Sequence, residues 1–181
     1  PPIWIGATTD RAIKRAGRIG DAFMAAPNVT DQDARRQFGL FSNARAEAGV
    51  QPAGDAGRML EVYCHADAAE AHRRAGPHLL TKYAAYAAWG LTGSAGAAAS
   101  AASTATGDHA FVELARNRFV IGNPDDVVAG LLRQHREVGI THLAMRVAWP
   151  GSDPAHALEC IDLIGRDVLP VLRNELENNH G

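Results

Sequence analysis

The chain has 181 residues, 46% of them hydrophobic, and 18 basic against 20 acidic side chains leave a formal charge of −2. That length predicts a single domain over 1–181, burying roughly 70% of its unfolded surface. The even charge balance excludes a polybasic nucleic-acid tract and gives no sign of an anionic membrane partner.

The first element is the short apolar run Ile3-Trp4-Ile5, fenced by two prolines and Gly6. It is too short for a helix and rich in β-formers, so it reads as a buried strand. Thr8 or Thr9 then caps a helix with Asp10 in its first turn, an apolar stripe at Ala12, Ile13, Ala16 and Ile19, and Gly20 as a left-handed terminator. Ala22–Ala25 reads as a second strand, closed by Pro27. Thr30 and Asp31 open a long amphipathic helix that stops at Gly49, and residues 51–55 have loop composition. Met59–His65 is the third predicted strand. Asp67 and Glu70 mark a helix start, and Gly76-Pro77 is expected to interrupt that helix before a second one ends near Trp89-Gly90.

Residues 91–107 are a low-complexity tract of Ala, Ser, Thr and Gly. Such small side chains bury too little surface to fix a chain, so composition predicts a mobile insertion, either a slack loop or a lid. Asn123-Pro124-Asp125-Asp126 is a strong helix start, and Gly139 ends that helix. Thr141–Val147 is the fourth predicted strand, and a turn at Trp149-Pro150-Gly151 leads to the last helical stretch. Strand and helix alternate four times, which means an α/β fold with a parallel sheet and crossover helices.

Several chemistries are disfavoured. No run reaches the ~18 apolar residues of a membrane span. Cys64 and Cys160 match no metal or redox spacing, which suits a reduced, cytoplasmic chain. The eight histidines form no metal-ligand motif, so no metal is expected. Walker-type and Gly-x-Gly-x-x-Gly loops are both missing from the sequence. No nucleophile with a base and an orienting partner is recognisable, so the catalytic residues stay unassigned.

Three places remain. Gly6-Ala7-Thr8-Thr9 lies where a strand meets a helix N-terminus, whose unpaired N–H groups and partial positive charge suit a phosphate. Many such turns only cap their helix. His65 ends the third strand, and chemistry in parallel α/β folds gathers at strand C-termini, although an ordinary polar strand end is the plainer alternative. In the fourth strand, alternation sends Leu143, Met145 and Val147 toward the helices and His142, Ala144 and Arg146 to the other side. A charge there needs an anionic ligand or a neighbouring carboxylate. His65 and Arg146 are therefore the candidate substrate-pocket residues. Trp4, Tyr83, Tyr86 and Trp89 are expected to serve core or lid packing.

Three blocks taken together carry a resemblance. They are Pro2–Ala7 with Arg15–Asp21, then Arg118–Val127, and then Gly139–Leu143 through Arg146 to Trp149-Pro150-Gly151. In order and spacing they resemble the C-terminal part of bacterial luciferase-like, flavin- or deazaflavin-dependent (βα)8 oxidoreductases. The resemblance implies a partial (βα)8 TIM barrel made of the last four βα units. It also implies that Gly6, Ala7, Thr8 and Thr9 hold the phosphate of FMN, or of a deazaflavin coenzyme. The family more often has a second glycine where Ala7 stands, a departure that still leaves a backbone N–H.

The implied activity is a monooxygenase or related oxidoreductase acting on a small organic substrate, with a flavin reductase as a candidate partner. A non-catalytic flavin-binding protein and a half-barrel without cofactor are the rival expectations. A complete barrel needs about 250 residues, and an open half-barrel exposes two strand edges. The chain is therefore expected to be a fragment of a larger protein, or a half-barrel that pairs with another chain, either the missing N-terminal half or a second copy of itself.

Overall fold

A computed structural model describes residues 1–50, 54–90 and 108–178. The insertion expected at 91–107 lies outside the described residues. Strand β1 spans Trp4–Gly6 and leads into helix α1, Asp10–Ile19, whose cap is Thr9. Strand β2 is Ala22–Ala25. Helix α2, Asp31–Glu47, opens with a complete capping box between Thr30 and Asp33. Strand β3 covers Asp55–Cys64, and helix α3 covers Ala68–Ala88. Then come helix α4, Asp108–Ala115, strand β4, Val120–Gly122, and helix α5, Pro124–Arg133. Strand β5 is His142–Arg146, and helices α6, Pro154–Leu163, and α7, Leu169–Asn178, close the described chain.

Every strand pairing is parallel, and β3 is the hub. Its first residues, Asp55–Arg58, pair with β2, which in turn pairs with β1. Gly57–Glu61 pair with β5 and Val62–Cys64 with β4. The sequential path β1-β2-β3-β5, with helices between, is the partial α/β barrel that the sequence implies.

The structure corrects four local readings. Five strands are present, because Val120–Gly122 forms the short β4, and α4 had no signature in the sequence. β3 begins at Asp55, inside the stretch whose composition suggests a loop. Gly76-Pro77 does not break α3. Ala71, Ala75, Leu79 and Tyr83 form a buried stripe at four-residue spacing that runs past the proline in register, so packing outweighs the missing N–H. Gly20 is extended, with φ −99°, whereas Gly49, Gly90 and Gly139, each just past a helical stretch, are left-handed, with φ +69°, +69° and +85°.

The helix-facing side of the sheet carries two apolar clusters. In one, Phe23 of β2 stacks on Phe41 of α2 at 5.7 Å and packs with Ile13 of α1. In the other, Leu60 and Val62 of β3 meet Leu79, Leu114, Val127 and Ile164. On the opposite side Trp4 covers Gly57, where an added Cβ would sit 2.4 Å from the indole ring.

A fully buried arginine joins the helices to β3. Arg58 NH1 donates to Asp31 Oδ1 at 2.6 Å and to the Gln134 side chain, and its NH2 donates to Val29 O at 2.9 Å. Arg133 also ion-pairs with Asp31, and Gln134 donates to it at 3.0 Å. Burial pushes the Asp31 carboxyl up, but hydrogen bonds from Gln134 and Arg58 and the two arginine charges outweigh it, and its pKa is lowered.

A carboxylate held below its ordinary pKa adds stability above that ordinary value, and the contribution is lost as pH falls through the folded pKa. D31N should therefore be less stable than wild type by about 2 kcal/mol or more at neutral pH. The gap should close below about pH 4, as the wild-type carboxylate protonates. Urea unfolding of both chains across that range measures it.

Candidate active site at the strand C-termini

The C-terminal ends of β1, β3 and β5 carry the residues singled out from the sequence. At the end of β1, Gly6 is bare: a Cβ there would meet only Met24 O, at 3.6 Å. Thr9 caps α1 by accepting the Ala12 N–H at 3.4 Å, and both Thr8 and Thr9 are exposed. Helix geometry leaves the N–H groups of Asp10 and Arg11 without acceptors inside the helix. Asp10, the one acid in that turn, ion-pairs with Arg36 at 2.9 Å, which moderates its repulsion of an anion. The donors, the bare glycine and the access fit a phosphate group.

His65 sits in a local turn. Its Nδ1 accepts the Asp67 N–H at 3.0 Å, while Asp67 caps α3 by accepting the Glu70 N–H at 2.9 Å. The backbone N–H of His65 donates to Gly122 O of β4. The ring thus helps to shape the β3–α3 junction, and the residue is half-buried.

Arg146 lies in a cluster that sequence reasoning missed. Its β-sheet partner in register is Glu61, a fully buried acid on the same sheet face. Lys82 of α3 ion-pairs with Glu61 Oε1, and the Tyr83 hydroxyl lies 3.2 Å from the same oxygen and 2.9 Å from Pro27 O. The Trp149 indole N–H donates to Glu61 Oε2 at 2.6 Å, and Arg146 NH1 stands 3.8 Å from Oε1. Sequence did hold a signal: Glu61 is the lone acid of the apolar stretch 59–64, and Lys82 is one of two lysines. A buried charge demands a partner of opposite sign. Which residue answers it is a matter of tertiary distance.

Burial depresses the Lys82 pKa, and the Glu61 charge offsets only part of that. Burial and the Glu61 charge together push the Tyr83 hydroxyl far up, so it stays protonated and donates. Burial alone would lower Arg146, but Glu61 and a hydrogen bond with Tyr86 turn the balance upward. Of the four aromatic residues read as packing, Tyr83 is buried, whereas Trp89 is exposed.

Cys64 and Cys160 are neighbours in space, with the Cys64 N–H 3.2 Å from Cys160 Sγ. Burial, with Cys160 beside it, pushes the Cys64 thiol up to about 12, which removes it as a nucleophile. Among the described residues, no group of three or more His, Cys, Asp or Glu could hold a metal ion. No described helix is long and apolar enough to cross a membrane.

A family model described as luciferase-like monooxygenase matches residues 1–142, from β1 into β5. The chain belongs to the luciferase-like monooxygenase family. No curated protein matches it by sequence. Among solved structures, it is similar to the monooxygenase RslO1 from Streptomyces bottropensis, with TM-score 0.69 and 20% identity over 94% of this chain and 48% of that one. The oxygenating constituent of 3,6-diketocamphane monooxygenase from Pseudomonas putida, a type II Baeyer–Villiger enzyme solved with FMN, gives TM-score 0.68 and 20% identity over 94% and 48%. The coenzyme F420-dependent tetrahydromethanopterin reductase from Methanopyrus kandleri gives TM-score 0.60 and 20% identity over 94% and 51%. The chain thus spans about half the length of these relatives, and the likeness carries the luciferase-like barrel fold.

Removing Glu61 alone should strand the buried Lys82 ammonium and the Trp149 N–H. We expect E61L to cost roughly 3–5 kcal/mol in urea unfolding. Most of that loss should return in E61L/K82M, where the buried ammonium is gone and the charge left over is that of the partly exposed Arg146. A double variant as unstable as E61L would show that the ion pair is not what matters at this position.

Proposed function

We propose that this chain is the cofactor-phosphate-binding half of a luciferase-like, flavin-dependent monooxygenase or oxidoreductase acting on a small organic molecule. The observation that carries the reading is the exposed N-terminus of α1 beside the bare Gly6, in a chain whose family is known. FMN is the favoured cofactor, and a deazaflavin coenzyme is the second reading, supported by the likeness to an F420-dependent reductase. The bound flavin would supply oxygen activation, or hydride transfer in the deazaflavin case, and the protein supplies binding and orientation.

In this reading Gly6 lets the backbone approach the phosphate, and Ala7 contributes its N–H. The Thr8 and Thr9 hydroxyls donate to phosphate oxygens. Thr9 can do so while its oxygen accepts from Ala12, because a hydroxyl is both donor and acceptor. His65 and Arg146 border the substrate from the ends of β3 and β5. The free thiols Cys64 and Cys160 suit a reducing, cytoplasmic setting. A flavin reductase is the partner this chemistry calls for.

The sheet also supports a structural partner. Among the described residues β1 pairs only with β2 and β5 only with β3, so both present open edges. An apolar groove of about 250 Å3 runs beside β5, lined by Leu131, Leu143, Met145, Leu169 and Leu172. Further strands from an N-terminal half-barrel, or a second copy of this chain, would cover both.

T8A/T9A should weaken FMN binding by roughly 1–3 kcal/mol, the scale of lost hydrogen bonds to a charged group. Circular dichroism must show the helix intact, since Thr9 is also a cap. Unchanged affinity would remove this turn from the site. Light scattering of the 19.2 kDa chain should report a dimer, a larger assembly or a co-purifying fragment. A well-folded monomer without companion would show that the edges need no cover.

A further inference from the structure

The Glu61 cluster does not balance its own charge. One carboxylate faces two cations, Lys82 and Arg146. Both Glu61 oxygens are already engaged by nearer donors, Lys82 and Tyr83 on Oε1 and Trp149 on Oε2. At 3.8 Å the Arg146 guanidinium is outside hydrogen-bond range of that carboxylate. The surplus charge is also the accessible one. The Glu61 side chain is 0% exposed and that of Lys82 5%, whereas 31% of the Arg146 side chain is exposed. Tyr86 hydrogen-bonds the guanidinium from α3, and among the described residues no carboxylate lies within hydrogen-bond range of it. On the same sheet face, the next residues down β5 are Ala144, small and exposed, and His142, which faces Asp55 at 3.8 Å.

We propose that Arg146 receives an anionic group, a carboxylate or a sulfonate, of the organic substrate. The inference rests on the reading of this sheet face as the substrate side of a flavin site. Arginine suits the task because its fork matches the paired oxygens of these groups. Glu61 positions it: the carboxylate, pinned by Lys82 and Trp149, attracts the guanidinium without consuming its donors. Neutral substrates would leave a desolvated cation unpaired, so the site selects acids over their esters or amides.

The Trp149 indole N–H is a reporter, because it shares Glu61 with Arg146. In NMR titrations of the whole chain with acetate and with methanesulfonate, its resonance should move saturably, and chloride at equal ionic strength should leave it in place. R146Q should bind these probes at least about tenfold more weakly, as expected for losing charge-assisted bonds. R146K, which keeps the charge but not the fork, should fall between. Wild-type behaviour in R146Q, or a shift produced by FMN and by neither acid, would overturn the proposal. FMN binding is followed separately at the α1 amides of Asp10 and Arg11. If FMN leaves those amides unmoved while acetate still moves Trp149, the flavin reading fails and the anion site stands.

Discussion

A carboxylate without solvent sits on the central strand of this half-barrel, and much of the structure is arranged to satisfy it. Glu61 draws Lys82 and Tyr83 from the middle of α3 and Trp149 from the turn after β5. Those contacts fix where α3 crosses the sheet and how the chain leaves its last strand. Tyr83 extends the tie to Pro27, at the end of β2. Segments far apart in sequence thus meet on one pair of oxygens. An ion pair of this kind adds little net stability over an apolar core, but breaking it is expensive, so it specifies one arrangement more than it strengthens it.

The same strand carries the opposite charge on its other face. Arg58 and Glu61 are three residues apart, so strand alternation sends them to opposite faces, Arg58 toward α2 and Gln134 and Glu61 toward α3 and Trp149. Arg58 gathers Asp31, Gln134 and Val29, tying α2 to the end of α5. β3 therefore acts as a spine through its backbone as well as its charges. Its ten residues pair in succession with β2, β5 and β4. Each face of the strand has its own buried ion pair and its own set of neighbours. A shift of one residue in register would exchange the two faces and strand both charges.

Function follows from where these ties leave groups exposed. The turn at Gly6–Thr9, proposed above to hold a phosphate, stays open because among the described residues β1 is an edge strand and its helix begins in solvent. Arg146 stays partly exposed because nearer donors saturate Glu61. Both lie at strand C-termini, the end of a parallel sheet where backbone and side chains converge without helices in the way.

The sequence by itself determined the alternation of strands and helices, a first cap at Thr8 or Thr9, helix starts at Thr30 and Asn123, and the split of β5 into a helix-facing and an open side. These are local matters of side-chain periodicity and short-range hydrogen bonding. Tertiary structure decided the rest. β4 is a strand because the end of β3 offers it a partner, a pairing that only the folded chain sets up. Pro77 stays within α3 because a buried stripe on both sides of it is worth more than one backbone bond. The cluster around Glu61 joins residues from 61 to 149, and no spacing rule links them. A buried charge announces that it needs a partner, but only folding distance chooses which one.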